Sequence, residues 1–383
     1  MSGRVSAQKL LWIGPLVFIL VQAEPAAWGF EFKGFADVTY TRSSIDPDLP
    51  PVNGINPEDR NGGFALGQLD LFISQPLENR IEVLSELVVE SDRSGESFAD
   101  LERLQISYLF SNALQFHAGR FHNILGYWNT AYHHASLFYT TIERPKFLEF
   151  EDKGGILPVH LVGVWLSGSL AVPAGDIDYG LMAGNGSRID NAQDASRYTL
   201  DPGNISDTNK NKAVSANLTV KPSYLPGLGL GIFGHFGQVQ VIDVTPPPAT
   251  TQQVDQSIIG ADLFYDNTRN GSGGLELLAE YYRILDKDTL NNTGSFGSAA
   301  AYVQSGYHLT ERILPYIRYE RVRIDEGDPY FTALGAPDSN RWVFGLRYSQ
   351  NPSSALKAEV RAVERVGLDR YTEFAVQWAF GFQ

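Results

Sequence analysis

Cysteine is missing from all 383 residues. Its absence excludes a disulfide framework, thiol catalysis, thiolate metal sites and the acylated cysteine of a lipoprotein. Methionine occurs twice. No uncharged apolar run reaches the ~18 residues that a membrane-spanning helix needs. Basic residues are in deficit: 30 Lys and Arg stand against 44 Asp and Glu, a net charge of −14. That balance argues against a nucleic-acid partner. Catalytic signatures are absent as well, with no Gly-x-Ser-x-Gly elbow and no phosphate-cradling loop. His133 and His134 are adjacent, so on a strand they point to opposite faces and make a poor metal pair. His117 and His122 flank Arg120 without a third ligand suggested by the pattern. Asp266 to Gly271 opens like a calcium loop, but Leu277 stands where a bidentate glutamate is needed, so the segment reads as a turn. The expectation is no metal, no cofactor and no enzymatic activity.

What is present begins with a leader. Arg4 and Lys9 precede an apolar stretch from Leu10 to Val21, and Val21-Gln22-Ala23 closes it with a small residue. That order is the one of a secretory signal peptide. Residues 1–23 are therefore expected to be removed, leaving 24–383 as a single exported domain. Losing Arg4 and Lys9 makes the chain more acidic still. With 37 Gly, 18 Tyr and 22 Phe, the composition suits one large all-β body.

Short stretches of period-two alternation recur along the length. In the last, Thr372, Phe374, Val376, Trp378, Phe380 and Phe382 share one face, with Glu373, Ala375, Gln377, Ala379 and Gly381 on the other. The pattern predicts strands near 31–41, 64–74, 81–90, 101–110, 114–121, 158–172, 177–186, 213–221, 227–241, 256–265, 274–285, 298–308, 313–324, 341–350, 355–365 and 371–382. Links after even-numbered strands are mostly tight, whereas those after odd strands are mostly long and polar. A soluble sandwich has no reason to sort its links this way; a transmembrane antiparallel up-and-down β-barrel of about 16 strands does. Strands near ten residues cross a bilayer at a tilt. Closure is required because an open edge in lipid leaves backbone groups unpaired at several kcal/mol each. The implied location is the outer membrane of a Gram-negative cell, with lipid, lipopolysaccharide and the barrel-assembly machinery as partners. The aromatic last strand resembles those of such barrels, although Gln383 displaces the terminal aromatic by one position.

The third long link, about 36 residues between Phe121 and Val159, is the segment most fitted to carry function. It is rich in aromatics and bears Glu143, Glu149, Glu151 and Asp152. Gly119-Arg120-Phe121 followed by Gly126-Tyr127-Trp128-Asn129 resembles the corresponding stretch of porins of the phosphate-selective porin superfamily. That resemblance implies a third external loop folded into the lumen, passive permeation and a homotrimer. No phosphate-binding basic ladder maps onto this chain residue by residue.

Alternation also assigns charges to the lumen. Arg318 and Glu320, then Arg347, then Lys357, Glu359 and Arg361 face inward if their apolar neighbours face lipid, where an arginine near midplane costs about 2–4 kcal/mol. Early strands supply Asp37, Asp70, Glu82, Glu86 and Glu90. With Arg120, these charges are the candidate pore lining. Basic wall residues opposite an acidic loop would set up a transverse field that orders dipolar solutes. The expected function is diffusion of small hydrophilic solutes or ions, anions such as phosphate among them. The alternatives are a barrel hydrolase and a surface adhesion or structural barrel.

Overall fold

The computed structural model describes residues 30–46, 61–78, 80–91, 97–132, 136–151, 154–191, 198–201, 212–241, 252–268, 273–289 and 294–383. The leader, His133, His134 and Asp152 lie outside these residues. Among the described residues, no helix is long and apolar enough to cross a membrane.

Seven strands come first: β1 (Glu31–Ser43), β2 (Gly63–Glu78), β3 (Ile81–Ser91), β4 (Ser97–Ser111), β5 (Leu114–His122), β6 (His160–Val172) and β7 (Gly175–Asn185). Two short ones follow, β8 (Arg188–Asn191) and β9 (Tyr198–Leu200). The series resumes with β10 (Lys212–Pro222), β11 (Leu228–Val241), β12 (Gln252–Asp266), β13 (Leu275–Asp288) and β14 (Ser295–Tyr307). It ends with β15 (Ile313–Arg323), β16 (Ser339–Asn351), β17 (Ser354–Arg365) and β18 (Tyr371–Phe382). β8 and β9 form a small hairpin outside the main series, and β10 pairs with β7 beside it. The other sixteen strands join neighbour to neighbour in antiparallel pairs. β1 and β18 shut the ring, from Gly34 opposite Phe382 to Ser43 opposite Glu373. All sixteen predicted strands are present, most of them longer than the alternation alone marks, by one to five residues.

Each strand sorts its side chains as the pleat requires. Trp342, Phe344, Leu346 and Tyr348 of β16 are exposed on the outer face, while Arg341 and Val343 between them are buried inside. On β18 the exposed Phe374, Val376, Trp378 and Phe380 alternate with buried Ala375, Gln377 and Ala379. Exposed aromatics gather toward both ends of the apolar band, with Phe110, Tyr224, Tyr307 and Phe382 near the short turns and Phe64, Trp342 and Phe374 near the long links. This girdled arrangement is what a membrane barrel presents to lipid. One departure from alternation is informative. Between β3 and β4 the register shifts at Glu86 and Leu87, and the bulge turns both Glu102 and Arg103 away from the outer face, between exposed Leu101 and Leu104.

Candidate functional site

The link between β5 and β6 is not structureless. It holds α1 (Gly126–Ala131) and two short 3-10 turns, Ser136–Phe138 and Lys146–Leu148. Its apolar residues Leu125, Trp128, Tyr139, Phe147, Leu148 and Phe150 form a buried cluster with inward residues of β11 to β15, among them Phe233, Ile258, Tyr282 and Tyr302. This apolar core answers why the segment carries so many aromatics. The α2 turn (Pro329–Leu334), N-capped by Asp328, adds Tyr330 and Phe331 to the same cluster.

Two features of the 126–129 motif now have physical reasons. Gly126 adopts φ 77, and a Cβ there would meet the Glu280 carboxylate and the Tyr282 hydroxyl at 2.2 Å. Only glycine fits both the backbone and the gap. The Trp128 amide then donates to Glu280 at 2.6 Å, and Asn129 donates to the carbonyls of Asn123 and Val159 while accepting from Arg144. Gly119 likewise has φ 136, with the Leu104 carbonyl 2.0 Å from where a Cβ would be.

Wall carboxylates fasten the segment by its backbone. Ile142 N–H donates to Glu359 at 2.7 Å, and Lys146 N–H donates to Glu320 at 2.7 Å. Ser136 Oγ donates to Asp37, and Thr140 Oγ1 to Glu276. Wall cations hold the carbonyls. Arg318 donates to Thr141 Oγ1, to the Glu143 carbonyl and to the Arg144 carbonyl, and its Nε lies 2.8 Å from Glu320. Lys357 donates to the carbonyls of Ser136 and Thr141, and Arg347 to that of Tyr139. Hydrogen bonds with a charged partner are about twice as strong as neutral ones, so the segment is clamped at many points.

The acid of the segment meets the bases of the wall directly. Glu143 sits 2.8 Å from Arg361 and 2.7 Å from Arg341, while Arg361 also pairs with Glu359 at 2.7 Å. Burial pushes the Glu143 carboxyl up, but Arg361, Arg341 and Lys146 outweigh it and hold it well below the usual range. This corrects the expected transverse field. Arg318, Lys357 and Arg361 are 0–1% exposed and bonded across to the loop, Arg318 and Arg361 beside carboxylates and Lys357 on carbonyls, instead of facing an open gap.

The other candidates separate into two groups. Glu86 is buried against Arg103, and Arg120 lies 3.7 Å from Glu102. Glu151 accepts from the His160 amide at 3.0 Å and contacts the His160 ring, whose far nitrogen lies 2.7 Å from Glu102. Asp70 is buried on β2. Glu82 stays exposed near the short turns, accepting from Ser74, and Glu149 pairs with Lys146 on its own turn at 3.5 Å. Sequence reasoning missed Arg341, Arg144, Glu102, Glu280 and His160. Alternation with Trp342 would have found Arg341 and alternation with Tyr281 would have found Glu280, whereas Glu102 is hidden by the bulge. His117 bonds Ser107 and Ser167, a structural role.

Neither a family model nor a curated protein matches the sequence. Solved structures do match it in fold. The trimer form of OmpT, an outer membrane protein of Vibrio cholerae, superposes with a TM-score of 0.59 at 11% identity, covering 93% of this chain and 100% of that one. An anion-selective porin from Comamonas acidovorans gives 0.57 at 11% identity, over 92% of this chain and 99% of that one. The outer membrane channel DcaP of Acinetobacter baumannii gives 0.59 at 10% identity, over 94% and 99%. At such identities the likeness is one of fold, and the fold is the closed antiparallel sixteen-strand barrel of outer-membrane proteins.

Proposed function

We propose that the chain is an outer-membrane porin through which small hydrophilic solutes and ions diffuse passively, without a cofactor or a catalytic step. The 123–159 segment lies inside the ring and narrows the passage. The observation that carries this reading is the set of bonds from the segment to inward side chains of β1, β13, β15, β16 and β17, on the face opposite the lipid-facing band. These strands form one arc of the ring, from β13 through β18 to β1, and inward side chains along that arc holding the segment support a course inside the ring. The leader delivers the chain to the outer membrane, where the assembly machinery inserts it among lipid and lipopolysaccharide. Homotrimer formation is supported by the trimeric form of OmpT.

Two consequences follow for permeation. Nearly all inward side chains beside the segment are buried, so the passage is narrow. With Arg318 and Arg361 withdrawn into ion pairs and Lys357 buried on the segment's carbonyls, the half-exposed Asp262 and Glu276 toward the short-turn mouth favour cations over phosphate-like anions. Asp70, Glu86, Glu149, Glu151 and Arg120 then shape the constriction, while Glu143, Glu320 and Arg347 hold it. Single-channel recording of the refolded protein under a salt gradient tests both points. Small discrete steps with a reversal potential of cation-selective sign are expected. Absence of steps from a folded, heat-modifiable barrel overturns the porin reading, and anion-selective reversal overturns the charge assignment.

A further inference from the structure

Cations on the lipid-facing side of the ring are placed unevenly. Among the described residues, those that alternate with outward apolar side chains and keep some exposure are Arg42, Lys212, Arg283, Lys287, Arg321 and Arg323. All six lie in the half of their strand nearest the long links. Three share one stretch of wall. Arg283 of β13 stands opposite Ala299 of β14, which in turn stands opposite Arg323 of β15. One step nearer the midplane, Tyr281, Ala301 and Arg321 repeat the row. The arginines thus flank the short side chains of β14 across about 10 Å, twice the strand spacing. The Arg283 guanidinium leans toward the long links and lies over Gly297, where a Cβ would meet its Nη2 at 2.2 Å. A cation on a lipid-facing strand bends this way to reach the headgroup level. Aromatic rings sit on its midplane side, Tyr281 exposed and Tyr319 packed 4.6 Å from Trp342.

An outward arginine is costly at the midplane and tolerated near the interface, and its guanidinium stays charged at any physiological pH. The acids of this region are largely engaged. Asp338 lies 3.7 Å from Arg323, Asp255 faces Lys287 in the ladder, and Asp325 accepts from the Gly297 amide at 2.9 Å. Among the described residues, no ion pair or hydrogen bond holds Arg283 or Arg321. We propose that Arg283 and Arg321, with Arg323 at the rim, bind the phosphorylated sugar headgroup of an outer-leaflet glycolipid. Arginine meets phosphate through paired, charge-assisted bonds. Ala299 and Ala301 leave room between the guanidinium groups for the phosphate and the first acyl carbons. The long-link end faces the leaflet that carries such lipids, and the aromatic rings beneath suit a ligand with an apolar body.

The test uses the full refolded barrel in dodecyl maltoside micelles with a chelator, unfolded in urea. The probes are a bisphosphorylated disaccharide glycolipid, its dephosphorylated form and inorganic phosphate. The bisphosphorylated lipid should raise the folded-to-unfolded ratio about tenfold for each tenfold increase above its dissociation constant, and the other two should leave it level. The exposed Arg283→Gln and Arg321→Gln changes together should weaken that response about a hundredfold, about tenfold for each charge-assisted bond lost. Arg312→Gln, an exposed cation on the short turn before β15, should keep it. An equal response in the double variant overturns the site, and so does a wild type indifferent to all three probes. An equal response to inorganic phosphate overturns the lipid as occupant. The chain lacks cysteine, so Arg321→Cys gives a single thiol. Cross-linking of that thiol between copies in the membrane also overturns the proposal, since a second copy then covers this face.

Discussion

Replacing Arg361 by methionine separates a structural clamp from a decorative charge. The guanidinium is 1% exposed and lies 2.7 Å from Glu359, 2.8 Å from Glu143 and 3.6 Å from Glu373. Methionine fills much of the same volume but leaves three carboxylates with one fewer cation. Arg341 still reaches Glu143 and Glu373, at 2.7 and 3.6 Å. Glu359 keeps the Ile142 amide, at 2.7 Å, the Tyr316 hydroxyl, at 2.8 Å, and the more distant charge of Arg318. Removing one partner of a buried pair typically costs about 3–5 kcal/mol. Glu143→Gln should cost less, about 1–3 kcal/mol, because the amide oxygen keeps one of the two arginines while its NH2 group faces the other. The double variant should fall short of the sum by at least about 1 kcal/mol, the coupling expected of groups in one network. Urea unfolding followed by tryptophan fluorescence and by the heat-modifiable gel band gives all four corners of the cycle. An Arg361→Met cost below about 1 kcal/mol, or additive single effects, would refute a clamp and return these charges to the open lumen.

Two further outcomes follow from the same geometry. Gly126→Ala places a methyl group against Glu280 and Tyr282 at a left-handed residue, a strain of about 1–2 kcal/mol before the clash is counted. Its channels should show added current noise and a lower urea midpoint, and wild-type traces would contradict the tight seat assigned to α1. The carboxyl of Glu143 is held well below its ordinary 4.5 by Arg361 and Arg341 against burial. A lowered folded-state value means that its contribution is complete above 4.5 and is lost only as pH falls through the depressed value. Channel step size should therefore stay level from neutral pH down to the ordinary carboxylate range, and a change centred near 4.5 would contradict the pairing.

The barrel was largely legible in the chain because its two governing signals are local. Alternation fixes which side of a strand meets lipid, and turn residues mark where it ends. The predicted 81–90 became Ile81–Ser91, and 256–265 became Gln252–Asp266. Extension at strand ends comes from ladder bonds to a neighbour, which no local pattern encodes. The charged partners were legible only as a set. Glu143 and Arg361 are 218 positions apart, and nothing in either neighbourhood says that they meet head-on instead of across water. β8 and β9 escaped notice because strands of four and three residues carry too little alternation to read. The 126–129 motif was visible, but its reason lay in Glu280, more than a hundred residues downstream.

Closure of β1 onto β18 also constrains how the ring can form. The seam joins the first described strand to the last, so the ring stays open until the final residues have been delivered. The segment between β5 and β6 has partners on β1, through Asp37, and on β18, where Leu137 packs with Ala379. Its contacts therefore straddle the seam itself. On the proposed reading, with the segment inside the ring, a ring that shut empty would have to admit a folded, aromatic-rich segment through its mouth. Docking the segment onto the open wall of β11 to β15 first, and zipping the seam around it afterwards, avoids that barrier. In such a sequence the segment acts as the template on which the two ends of the chain find each other, and the slow step is the search of those distant ends rather than the making of any one hairpin.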